Sequence, residues 1–96
     1  MPSYIARRFV LEGKVQGVGC RARVYEAVEN LGHISGYVRN LPNGSVEVCA
    51  KGPDWRVNDL EKFLRTRMSA PILVERVLVE EVEGSELPNG FVVRRT

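Results

Sequence analysis

The pattern of apolar and polar positions changes period several times along the chain, and each change marks an element. The stretch "YIARRFVLEG" (4–13) mixes β-formers with two arginines and closes on glycine, which predicts a strand. From Arg21 to Leu31 the period becomes helical: Val24, Ala27, Val28 and Leu31 share one face, Glu26 and Glu29 the other, and Gly32 is the stop signal. Cys20, four positions before Val24, extends the inward stripe. "HISGYVRNL" (33–41) is β-rich, "PNG" (42–44) is a turn with glycine where φ must be positive, and "SVEVCAK" (45–51) alternates, so the three form a hairpin. After the break at Gly52-Pro53, Asp54 opens a second helix with Val57, Leu60, Phe63 and Leu64 inward, ending before Pro71. "ILVERVLVEEV" (72–82) is a long strand whose alternation slips near Glu75-Arg76. "EGSELPNG" (83–90) is a loop and "FVVRR" (91–95) a short last strand.

This order, β-α-β-β-α-β with a C-terminal β tail, predicts an α+β fold: a ferredoxin-like two-layer sandwich with an antiparallel sheet. The two crossovers favour one handedness, so both helices cover the same sheet face and leave the other open. Along "SVEVCAK", Val46, Val48 and Ala50 share the helix-facing side, which sends Cys49 to the open face, across the sheet from Cys20. A bridge between them would need Cα atoms within about 7 Å, so two free thiols are expected. "LPNG" occurs at 41–44 and again at 87–90, which reads as reused turn chemistry rather than a repeat.

Ninety-six residues with 44% hydrophobic content suit a single domain over 1–96 with one compact core. Fourteen basic residues against twelve acidic ones leave a formal charge of +2, too weak a field for a nucleic-acid binder. The basic side is eleven Arg to three Lys, and Arg is the better fork for phosphate or carboxylate. No apolar run approaches the ~18 residues of a membrane span and no signal pattern opens the chain, so a cytoplasmic monomer without membrane or nucleic-acid partners is expected.

The chemistry concentrates in "GKVQGVGCR", Gly13 to Arg21, where glycines feed a helix N-terminus beside a permanent positive charge. Unpartnered amide N–H groups converge at such a place, which makes it an anion site. Gly17 to Ala22 satisfies G-x-G-x-x-A, but a dinucleotide fold needs a larger parallel sheet and an acid about twenty residues on, where this chain has Asn40. Gly13-Lys14 is followed by Val15, not the Ser or Thr of a Walker loop. A cysteine phosphatase needs its thiol several residues ahead of its arginine, whereas Cys20 adjoins Arg21. His33, the lone histidine, offers no metal set and reads as an ordinary helix-to-strand residue. "YVRNL" (37–41) is similar to the first strand of an RNA-recognition module, but the companion strands lack its aromatics.

What remains is phosphate binding without a metal, a cysteine nucleophile or a histidine base. An ordinary phosphate ester resists so small a site, because its alkoxide leaving group needs a proton or a metal. A mixed carboxylic-phosphoric anhydride has a stable carboxylate as leaving group, so positioning and charge stabilisation suffice.

"GKVQGVGCR" together with "GYVRNLPNGSVEVCAKG" (36–52) closely resembles the two signature segments of the acylphosphatase family, and the element order agrees over essentially the whole chain. The resemblance implies hydrolysis of acyl phosphates to carboxylate and inorganic phosphate, with no cofactor. It implies Arg21 and Asn40 as the catalytic pair: amides of Gln16, Gly17, Val18, Gly19, Cys20 and Arg21 cradle the phosphate, Arg21 binds its oxygens, and Asn40 orients the attacking water. The alternative is a noncatalytic anion-binding module that kept the loop and lost turnover. In the family the position before the arginine is usually bulky and apolar, commonly phenylalanine; here it is Cys20. Tyr37 and Arg39 read as sheet-face residues, and Arg7, Arg8, Arg94 and Arg95 as solvated strand ends.

Overall fold

A computed structural model describes residues 3–95. The elements are β1 (Tyr4–Lys14), α1 (Cys20–Leu31), β2 (Ser35–Asn40), β3 (Val46–Pro53), α2 (Asp54–Thr66), β4 (Leu73–Glu81), a 3₁₀ turn (Gly84–Glu86) and β5 (Phe91–Arg94). The strands form one sheet in the order β4-β1-β3-β2-β5. Both helices pack on one face, α1 over β2 and β5 and α2 over β1, β3 and β4, so the ferredoxin-like sandwich stands.

The sheet departs from the expected antiparallel arrangement at one edge. Strands β1 to β4 pair antiparallel, but β5 runs parallel to β2, with Gly36 opposite Phe91 and Arg39 opposite Arg94. The chain leaves β4 at one edge and re-enters at the other, beside the start of β2. There the Gly36 N–H donates to Gly90 O at 3.0 Å and the Gly90 N–H to Ser35 Oγ at 3.0 Å, so β5 sets off in the direction of β2. Strand alternation cannot say which edge receives a tail.

The register slip in the long fourth strand is a β-bulge. Glu12 pairs with Arg76 and Gly13 with Val74, leaving Glu75 as the unpaired extra residue. Gly13, at φ 133°, passes so close to β4 that an added Cβ would lie 2.3 Å from Leu73 O.

Apolar alternation builds the core. Phe9, Leu11, Val38, Val46, Val48 and Ala50 face the helices, which insert Cys20, Val24 and Val28 from α1 and Val57, Leu60 and Leu64 from α2. Leu31 and Phe63, expected inward, are only half-buried at the rim, where the Arg23 guanidinium lies 4.7 Å above the Phe63 ring. Cys49 is on the face opposite the helices and both thiols are free, but that face is not bare. Cys49 donates to the Tyr37 hydroxyl at 3.3 Å, and Arg8 and Arg39 fold over Glu47, leaving Glu47 3% and Cys49 4% exposed. Burial alone would raise the Glu47 pKa; the hydrogen bonds from Arg8 and Arg39 outweigh it and hold the carboxyl below its usual range.

Candidate active site

The site begins where β1 ends. Gly17 and Gly19 adopt φ of 73° and 83°, the left-handed region that favours glycine, and Gly19 caps α1 without a side chain to satisfy the helix donors. The first helical bond runs from Arg23 N–H to Gly19 O at 3.0 Å. The N–H groups of Cys20, Arg21 and Ala22 therefore have no acceptor one turn back, and they converge with the positive end of the helix dipole.

These groups line a cleft of about 440 Å³ bounded by the loop, the first turns of α1, the end of β2 and the end of β5. It brings together Gly17, Gly19, Cys20, Arg21 and Asn40. Two residues of the expected cradle, Gln16 and Val18, are not among its lining. The Gln16 side chain instead donates to Leu41 O at 2.7 Å and Ser45 O at 2.8 Å, tying the loop to the β2–β3 hairpin. Val18 packs half-buried against the core and borders a separate depression beside Ala70 and Ile72.

Arg21 lies in the first turn of α1 and reaches β5, where its Nη1 donates to Arg94 O at 3.1 Å. Asn40 ends β2, opposite Val46, and its side chain makes no hydrogen bond to another side chain or the backbone among the described residues. Among the described residues the lining contains Arg21 and Arg95 and no acidic side chain, so its charge suits an anion. Cys20 offers only its backbone: the thiol is 2% exposed, and burial pushes its pKa up to about 11, leaving it neutral and unreactive near neutral pH. His33 is exposed, 6.5 Å from the Trp55 ring and outside the cleft. Among the described residues no three His, Cys, Asp or Glu side chains gather to hold a metal ion.

Sequence reasoning missed Val15, Ala22, Tyr25, Val93 and Arg95, all of which line the cleft. Tyr25 was within reach, because it follows Arg21 by one helical turn. Val93 and Arg95 were not, because they depend on the parallel docking of β5. Arg95, expected as a solvated strand end, borders the cleft. Arg7 instead pairs with Glu61 and Glu81, Arg8 with Glu47 and Glu80, and Arg94 lies 4.0 Å over the Tyr37 ring.

A family model described as acylphosphatase matches residues 7–93. A protein named acylphosphatase from Caldivirga maquilingensis is 44% identical over 95 residues, covering 98% of each chain. The structure of an acylphosphatase from Coxiella burnetii superposes with a TM-score of 0.81 at 30% identity, covering 95% of this chain and 93% of its own. The acylphosphatase from Bacillus subtilis gives a TM-score of 0.84 at 27% identity, covering 94% and 98%.

Proposed function

The chain belongs to the acylphosphatase family and hydrolyses acyl phosphates, and on that premise we propose how its cleft carries out the reaction. The phosphoryl group sits at the α1 N-terminus, its oxygens accepting from the amides of Gly17, Gly19, Cys20 and Arg21 and from the Arg21 guanidinium. The open amides of Cys20 and Arg21 are the centre of this cradle, and that of Ala22 extends it. The observation that carries the reading is the meeting of these unpaired donors with Arg21 and Asn40 in one cleft.

Asn40 orients a water molecule towards phosphorus. Its amide is not a base, so the water proton passes to a phosphoryl oxygen of the substrate. The new P–O bond forms as the bond to the acyl oxygen breaks, and the electron pair leaves with the carboxylate. Donors fixed before the reaction stabilise the charge on the equatorial oxygens without reorganising. Arg21 is held for this by its bond to Arg94 O. The reaction then needs no metal or cofactor, and inorganic phosphate, the second product, competes for the cradle. We take residues 1–96 as one such domain, acting as a cytoplasmic monomer.

Hydrolysis of benzoyl phosphate tests the reading. Turnover is expected to persist in chelator and to be competitively inhibited by phosphate. Arg21→Ala should abolish turnover and weaken phosphate inhibition, whereas Asn40→Ala should lower kcat by about 10²-fold or more with little change in phosphate inhibition. Loss of activity in chelator with recovery on adding a divalent ion, or an exchange of the two variants' phenotypes, would refute the assignment.

A further inference from the structure

A carboxylate is buried on the sheet face away from the cleft, where Glu47 lies between Arg8 and Arg39. We propose that Glu47 is a positioning residue for Arg21: by holding the Arg39 guanidinium toward β3 it leaves the Tyr37 ring to Arg94, and so fixes the end of β5 whose carbonyl holds Arg21. This rests on the reading that Arg21 binds the phosphoryl oxygens.

Strand register sets two like charges side by side. Arg39 has Glu47 of β3 as its neighbour on one side and Arg94 of β5 on the other. Cations on adjacent strands repel. Both guanidiniums are also within reach of one aromatic ring, Arg39 at 5.6 Å and Arg94 at 4.0 Å from the centre of Tyr37. Glu47 decides between them. Its carboxylate accepts from Arg39 Nε at 2.6 Å and from Arg8 Nε, which draws Arg39 toward β3 while Arg94 takes the closer place on the ring. Arg8 has a second acid, Glu80, at 3.1 Å. Among the described residues Arg39 has no acid but Glu47 within 4.0 Å, and Arg94 has none.

Arg94 carries the effect across the sheet. Its side chain lies on Tyr37, and its backbone O accepts from Arg21 Nη1 at 3.1 Å. The strand β5 is four residues long and forms an edge, pairing only with β2. Its buried residue, Phe91, is at the far end, and Val92, Val93 and Arg94 are exposed. The stack on Tyr37 is therefore a main restraint on the residue that anchors Arg21. A buried ion pair is by itself a weak source of net stability, so the placement of its neighbours is what this carboxylate contributes.

Glu47→Gln keeps the size of the side chain and one acceptor but removes the charge. In benzoyl phosphate hydrolysis kcat/KM should fall, and the inhibition constant for inorganic phosphate should rise, each about three- to tenfold, because a displaced Arg21 weakens both. Tyr37→Leu, which removes the ring, should do the same, whereas Tyr37→Phe, which keeps it, should stay near wild type. Adding Arg39→Gln to Glu47→Gln removes the competing cation and should bring phosphate inhibition back to within about twofold of wild type. Assays run well below each variant's urea midpoint keep a loss of stability alone from moving these readouts. Unchanged phosphate inhibition in Glu47→Gln would leave Glu47 a structural ion pair, and a double variant no better than the single one would show that Arg39 and Arg94 do not compete for Tyr37; either overturns the proposal. Should Glu47→Gln not fold, equal phosphate inhibition in Tyr37→Leu and Tyr37→Phe overturns it as well. The underlying reading is tested separately by Arg21→Ala, where undiminished phosphate inhibition would refute the phosphate site whatever Glu47 does.

Discussion

Cys20 opens α1, so its N–H has no helical acceptor, while its thiol is 2% exposed in the cluster that contains Val15, Val24 and Val28. A change of side chain there leaves the amide in place and acts on the packing behind the loop. Because Cys20 is buried in a cluster rich in valine, the smaller residue does not by itself imply an open hole, and an inserted aromatic ring meets overpacking costs of about 1–3 kcal/mol. Relief of any residual void offsets part of that. Cys20→Phe should therefore leave stability within about 1.5 kcal/mol of wild type, with kcat rising modestly or not at all, as denaturant unfolding and benzoyl phosphate turnover would record. A gain above about 2 kcal/mol with a large rise in rate would show a cavity under the loop that the valines do not fill.

Three elements meet at the cleft, and two polar contacts hold them in register. Gln16 fastens the loop to the hairpin through Leu41 O and Ser45 O, the residues flanking the turn that follows Asn40. Arg21 fastens α1 to β5 through Arg94 O. Removing Gln16 leaves two carbonyls without that donor and frees Asn40 to drift relative to the amides. Gln16→Ala should cost about 1–2 kcal/mol of stability and lower kcat more than it weakens phosphate inhibition, because the cradle loses no backbone donor. A loss of phosphate inhibition as large as the loss in kcat would instead make Gln16 part of the cradle's own rigidity. The sheet shows the same dependence on neighbours: the bulge at Glu75 appears in the sequence as a slip in alternation, but only the pairing with Glu12 and Gly13 says which residue is extra.

For the whole molecule, two buried titratable groups on opposite faces of the sheet make stability depend on pH at the acid and alkaline ends. Glu47 has its pKa lowered in the folded state, so its contribution is present above the unfolded value of about 4.3 and is lost as pH falls through the folded value. Cys20 has its pKa raised from 9.0 to about 11, so the folded chain retains a proton that the unfolded chain releases, and stability falls as pH rises from about 9 to 11. A shift of that size corresponds to about 2–3 kcal/mol across the window. Urea midpoints across pH should fall at both ends. Glu47→Gln should flatten the acid limb, and Cys20→Ala should reduce the alkaline slope while Cys49, also raised by burial, keeps part of it. Limbs unchanged by these substitutions would assign the pH dependence to other groups.

The sequence by itself determined the element order, the inward stripes of both helices and the glycine loop before α1, because each is written in local periodicity or in backbone conformations that glycine permits. It placed Arg21 and Asn40 through two short motifs, and the fold brings those motifs to one cleft although nineteen positions separate the two residues. Tertiary structure alone decided what encloses them. The direction and edge of β5 follow from where the chain crosses the molecule, not from the alternation of "FVVRR", so Val93 and Arg95 could not be assigned to the cleft in advance. The burial of Glu47 and Cys49 likewise depends on Arg8, Arg39 and Tyr37 arriving from neighbouring strands to cover a face that alternation marks as open. Periodicity records which side of an element a residue is on; what stands opposite it is set by contacts between residues far apart in the chain.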